Sequence, residues 1–123
     1  MKLLTKEILK KLYKNKGKDS DKPYLKLFNP AGPATWLISE YDAENRIMFG
    51  LCDLGMGFPE LGYVSLDEIK NVKLPFGLKI ERDMHFEPTK TLAEYAQEAR
   101  NNGKIVTWSS CIYNYLCHNM SIN

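Results

Sequence analysis

The chain has 123 residues, 44% of them apolar and 26% charged, with a net charge of +2. Those values suit one globular domain with a real core and exclude a disordered or fibrous chain. No run of 18 apolar residues occurs, which argues against a membrane-spanning helix. The Lys-rich start, MKLLTKEILKKLYKNKGK, is broken by charges every few residues. It lacks the uninterrupted apolar stretch of a secretory signal, so the expected location is cytoplasmic. Cys52, Cys111 and Cys117 are odd in number and form no C-x-x-C pair, the pattern of reduced thiols rather than of a disulfide framework.

In chain order, Thr5 is placed to cap a helix running to about Tyr13, with Glu7 in its first turn and Ile8, Leu9 and Leu12 on one face. NKGKDSDKP (15–23) reads as a polar loop projecting into solvent. YLKLF (24–28) alternates as a strand, and NPAGP turns the chain. ATWLISEY and RIMFGLCD flank DAEN as a hairpin, with Trp36 and Ile38 on one face and Leu37 on the other. LGMGFPELG (54–62) reads as a flexible glycine-rich loop with Phe58 tucked in and Pro59 fixing its direction, and GYVSL resumes a strand. Ser65 opens a helical turn over SLDEIKNV, and LPFG breaks it; LKIERD and MHFEP read as one or two further strands. Thr91 caps the clearest helix, TLAEYAQEARNNG, with Gly103 near its end. KIVTW reads as a last strand and IYNYLCHNM as a short amphipathic tail.

Helices and strands do not alternate one for one, so the expected class is α+β. The expected architecture is a single domain: a mainly antiparallel sheet of about five or six strands, with an N-terminal helix and a helix in the C-terminal half packed on it. Its parts are a basic helix and loop (1–22), a strand-rich core (23–88), a helix (89–103), and a strand with a tail (104–123).

Charge is unevenly placed. Through Lys22, eight lysines oppose Glu7, Asp19 and Asp21, a balance of +5 that leaves −3 for the remaining 101 residues. A basic arm of this kind is either a solvated helix face or a surface for nucleic acid, and Lys10, Lys11, Lys14, Lys16 and Lys18 would serve the second use. No arginine is interleaved among them, and lysine alone reads bases poorly.

Catalytic motifs are incomplete. DLGMGFPELG has no Lys-Ser or Lys-Thr pair and no long helix after it, so it is neither a P-loop nor a dinucleotide fingerprint, and no cofactor is expected. Ser109, Ser110 and Cys111 near His118 lack a nucleophile elbow. Cys111, Cys117 and His118 fall short of four zinc ligands unless His85 joins them, so no metal is assigned. Glu60, Glu81, Asp83 and Glu87 around His85 are the candidates for a metal-dependent hydrolase. Strand alternation puts Glu81 and Asp83 on one face and Arg82 with Ile80 on the other; the alternative reading is a charged edge that discourages pairing.

MKLLT at the start, TW at 35–36, FGL at 49–51, ELGYVSLDEI at 60–69, PFGLKIERD at 75–83 and F-x-P at 86–88 occur in that order. Together they resemble a family of small bacterial proteins known as a domain of unknown function, frequently encoded on plasmids, conjugative elements and phages. PELGY-x-SL-x-E and PFGL-x-IERD are the most specific parts of the resemblance, which spans about residues 1–95. It implies an accessory protein of mobile DNA and carries no catalytic residues to transfer. The expected function is therefore a non-enzymatic protein-binding module, an inhibitor of a host defence nuclease of restriction or CRISPR type. Its expected contact surface is Phe58, Glu60 and Tyr63 with Glu81, Arg82 and Asp83. Nucleic-acid binding through the N-terminal lysines is the second expectation and metal-dependent hydrolysis the third.

Overall fold

The computed structural model describes residues 2–16 and 22–107. Helix α1 spans Lys6–Asn15, and Thr5 caps it by accepting a hydrogen bond from the Ile8 amide. Four strands follow, β1 (Leu25–Phe28), β2 (Thr35–Asp42), β3 (Ile47–Asp53) and β4 (Glu60–Ser65). Ser65 caps helix α2 (Leu66–Asn71). A 3₁₀ turn at Pro75–Gly77 leads to the two-residue strand β5 (Glu81–Arg82). Helix α3 (Leu92–Asn102) starts with a capping box, Thr91 against Glu94, and ends at Gly103 in the left-handed conformation. The strands form one antiparallel sheet in the order β4-β3-β2-β1-β5. The α+β expectation and the packing of both helices on the sheet are met.

The two faces of β2 carry two cores. Leu25, Leu27, Trp36, Ile38 and Met48 pack with Leu12 of α1 and with Leu66 and Ile69 of α2. Leu37 and Leu51 pack with Leu92, Tyr95, Ala96 and Ala99 of α3. The sheet is therefore covered on both sides, and the alternation in TWLI is what allows it, since successive side chains leave a strand in opposite directions.

A β-bulge interrupts the β2–β3 ladder between Ile38 and Glu40. The Ser39 carbonyl accepts a hydrogen bond from the buried Asn15 side chain, which also donates to the Lys22 carbonyl. Asn15 was expected in a solvent-facing loop; it is instead the last residue of α1, because a buried carbonyl released by a bulge needs a donor. Across the same ladder, a Cβ at Gly50 would lie 1.9 Å from the Leu37 carbonyl oxygen, so only glycine fits there.

Three other expectations need correction. MHFEP forms no strand: the Asp83 carboxylate accepts from the His85 amide, and the Phe86 amide donates back to the Asp83 carbonyl, so the chain turns out of the sheet. Residues 104–107 form no strand either, because the Ile105 amide is bonded to the Asp53 carboxylate rather than to a ladder. LKIERD contributes only Glu81 and Arg82 to the sheet, opposite Phe28 and Leu27 of the short β1. Lys18, Ser109, Ser110, Trp108 and the tail with Cys111, Cys117 and His118 lie outside the described residues.

Gly50→Ala is expected to lower stability by about 2–3 kcal/mol, the upper part of the overpacking range, because the obstacle is backbone. A urea titration measures it, and an unchanged midpoint would contradict the close approach.

Candidate functional surfaces

The β3–β4 connection is anchored at Gly55 and presents apolar side chains. Asp53 is buried; one carboxylate oxygen accepts from the Gly55 amide at 2.8 Å and the other from the Ile105 amide at 2.9 Å. Gly55 and Gly57 take φ of 84° and 86°, which turns the loop tightly. At its tip Met56 and Phe58 are 75% and 79% exposed, and Tyr63 on β4 is 77% exposed. The Tyr63 ring meets Phe49 of β3 at 5.0 Å between centroids, which leaves its outer side open. Glu60 is exposed at the start of the same strand. Glu60 and Tyr63 thus lie on one edge strand, their side chains on opposite faces, and Phe58 lies just before it.

Glu81, Arg82 and Asp83 sit at the opposite edge. Four strand spacings separate β4 from β5, roughly 19 Å at the usual separation. The six residues therefore do not form one surface, and Glu60 does not join Glu81, Asp83, Glu87 and His85. Among the described residues no group of three His, Cys, Asp or Glu side chains is placed to hold a metal ion. Asp83 has a structural role: its amide donates to the Lys26 carbonyl, its carboxylate accepts from the His85 amide, and Lys26 Nζ lies 3.5 Å from it. Lys26 Nζ also donates to Thr107 Oγ1 at 2.6 Å and lies 5.9 Å from the centre of the Phe86 ring, tying β1 to two loops.

The α1 lysines do not make one stripe. Lys10 and Lys14 flank Tyr13 and Tyr41 on one side of the helix. Lys16 borders a different hollow, with Tyr41, Asp42 and Tyr63. Lys11 faces the other way, 5.5 Å from the centre of the Tyr24 ring. There it lines a groove of about 590 Å³ together with Lys6, Lys26 and Arg82, Tyr24 and Phe86, and the acidic Glu7, Asp83 and Glu87. Basic and aromatic side chains thus meet in that groove, a convergence of helix, strand and loop that no local spacing could reveal.

The titratable groups with displaced pKa values serve the scaffold. Hydrogen bonding from Arg46 holds the Asp67 carboxyl below its ordinary range and ties α2 to the β2–β3 turn. The Thr91 backbone amide, first, and then its hydroxyl lower the Glu94 carboxyl in the capping box. Burial pushes the Cys52 thiol up, which keeps it protonated at neutral pH and makes it a poor nucleophile.

The model of a family described as "Protein of unknown function (DUF2958)" matches residues 3–106, from the approach to α1 through the segment after α3. The chain belongs to the DUF2958 family. No curated protein matches it, and no solved structure does. The DUF2958 match runs past the expected limit near residue 95 and takes in the second half of α3 together with Ile105, whose amide pins Asp53. Both edges of the sheet and the basic groove therefore lie within the DUF2958 domain.

One further feature of this chain stands apart from both edges. In the PFG turn Phe76 takes φ 60° and ψ 26° and is 99% exposed. A bulky residue in the left-handed region is strained, and its ring gains no packing in return. The Pro-Phe-Gly sequence marks a turn, but nothing in it signals the positive φ at its centre. Phe76→Asn, a residue that tolerates this conformation, is expected to melt no lower than the wild type. A loss of more than about 1 kcal/mol would assign Phe76 a packing role.

Proposed function

We propose that this DUF2958 protein is a non-enzymatic protein-binding module, an accessory protein of mobile DNA whose target is a host defence nuclease of restriction or CRISPR type. The observation that carries the binding reading is the exposure of Met56 and Phe58 on the loop that enters β4, the edge strand that also exposes Tyr63. Aromatic side chains dominate binding energy at protein interfaces. The target class and the mobile-element setting rest on the family resemblance of the two sequence motifs.

A tagged chain is expected to capture its target from host lysate and to relieve nuclease restriction. Phe58→Asp together with Met56→Ser is expected to weaken capture by about 30-fold, the equivalent of a hot spot of about 2 kcal/mol, with the melting temperature unchanged. Capture and inhibition that both fail for the wild type, or that survive the double substitution, would remove this surface from consideration.

A second reading has its own support. Lys6 and Lys11 meet Tyr24 and Phe86 on one groove, a combination suited to a nucleic-acid backbone and a stacked base. Under that reading Lys6→Glu with Lys11→Glu abolishes retardation of single-stranded DNA or RNA at low salt. Lys10→Glu with Lys14→Glu, on another side of α1, leaves most of it in place. Equal loss in the two double variants would mean a diffuse charge effect and no groove.

A further inference from the structure

The two edges of the sheet differ in a way that bears on what covers β4. Edge strands are normally protected by shortness, charge, proline or a bulge. β5 has such protection, being two residues long and made of Glu81 and Arg82. β4 has six residues, ELGYVS, with its single charge at the first position. It is paired to β3 without a register shift.

The ladder defines which groups β4 turns outward. The Leu66 amide donates to the Arg46 carbonyl at 3.0 Å, which makes that position a hydrogen-bonded pair. Hydrogen-bonded and non-bonded pairs alternate along an antiparallel ladder. Val64, Gly62 and Glu60 therefore bond to β3 through Met48, Gly50 and Cys52, their partners in register. Leu61 and Tyr63 point their amides and carbonyls away from the sheet, and no hydrogen-bond partner meets them among the described residues.

We infer that a second copy of this chain pairs with β4, antiparallel about a two-fold axis at Gly62. The inference rests on the reading of this edge as protein-binding and names one occupant of it. In that register Leu61 faces Tyr63 of the second copy and Tyr63 faces its Leu61, so the outward groups of both strands form four hydrogen bonds. Gly62 meets its own mate at the closely spaced, non-bonded position of the new ladder, where the absence of a side chain is an advantage. Glu60 falls opposite Val64, so no like charges meet. Phe58 falls opposite Leu66, at the start of the second copy's α2.

Phe58, Leu61 and Tyr63 are 79%, 41% and 77% exposed. With the edge backbone they offer roughly 500 Å² per copy, taking about 200 Å² for each aromatic side chain. The total of about 1,000 Å² is the lower bound for a specific interface and calls for a reversible, weak dimer.

Sedimentation equilibrium of the purified chain is expected to show an average mass rising from 14.2 kDa toward twice that value as concentration climbs from about 1 µM to about 1 mM, the range of a minimal interface. Tyr63→Pro removes an outward amide and no β3 bond, so it is expected to stay monomeric while keeping its circular dichroism spectrum. A Cβ at residue 62 meets nothing within 4 Å, so Gly62→Cys is expected to fold and, on mild oxidation, to form a 62–62 disulfide between copies. Glu60→Cys, off the axis, is not.

A wild type that is monomeric throughout, or a dimer that survives Tyr63→Pro and forms no 62–62 disulfide, overturns the pairing. Protection of the Leu61 and Tyr63 amides only when a foreign protein is added gives the edge to a foreign strand and also overturns it. Target capture is scored separately: a monomer that still captures its target refutes only the self-pairing. A dimer that captures nothing refutes only the function proposed above.

Discussion

The bulge at Ser39 and the close passage at Gly50 fix the centre of the molecule. β2 and β3 approach so tightly that residue 50 has no room for a side chain, and the bulge beside it frees the Ser39 carbonyl. Asn15 answers that carbonyl from the end of α1. A buried side-chain amide with two carbonyl partners is directional in a way that apolar packing is not. It therefore sets where α1 lies on the sheet, and with it the position of Lys11 over Tyr24 and the groove between them.

Two further polar anchors do for the loops what Asn15 does for the helix. Asp53 spans the glycine loop and the segment after α3, and Lys26 joins β1, the 83–86 turn and Thr107. Both candidate surfaces are held by charges set just inside the fold. Asp53 fixes the start of the loop that carries the exposed residues of the apolar edge, through the Gly55 amide.

Local chemistry was legible wherever a short-range bond decided the structure. Thr5, Ser65 and Thr91 each accept the capping bond that their position before a helix implies. The turn at DAEN forms because the Asp42 carboxylate accepts from the Glu44 and Asn45 amides. The TWLI alternation divides two cores as written. Phe58, read from the loop's composition as tucked in, is 79% exposed, because whether a ring finds a cavity depends on what packs against the loop and not on the loop's own residues. Glu60 and Glu81 were not separable in advance: residues 21 positions apart can be neighbours or lie on opposite edges, and only strand order distinguishes the two. MHFEP failed as a strand for a related reason, since Asp83 uses its carboxylate to bend the chain before a ladder can continue.

By itself the sequence determined the class of the fold, the helix boundaries set by caps, the hairpin and the two-sided alternation of β2. All of these depend on bonds within a few residues or on the two-residue period of a strand. The tertiary structure alone decided that β4 and β5 are the edges, that the charged cluster of PFGLKIERD lies far from the glycine loop, and that the α1 lysines divide among separate hollows. These are consequences of strand order and helix placement, fixed by contacts such as Asn15 to Ser39 and Ile105 to Asp53 that span 24 and 52 residues. No periodicity in the chain encodes them, because each depends on one polar group meeting another across the closed core.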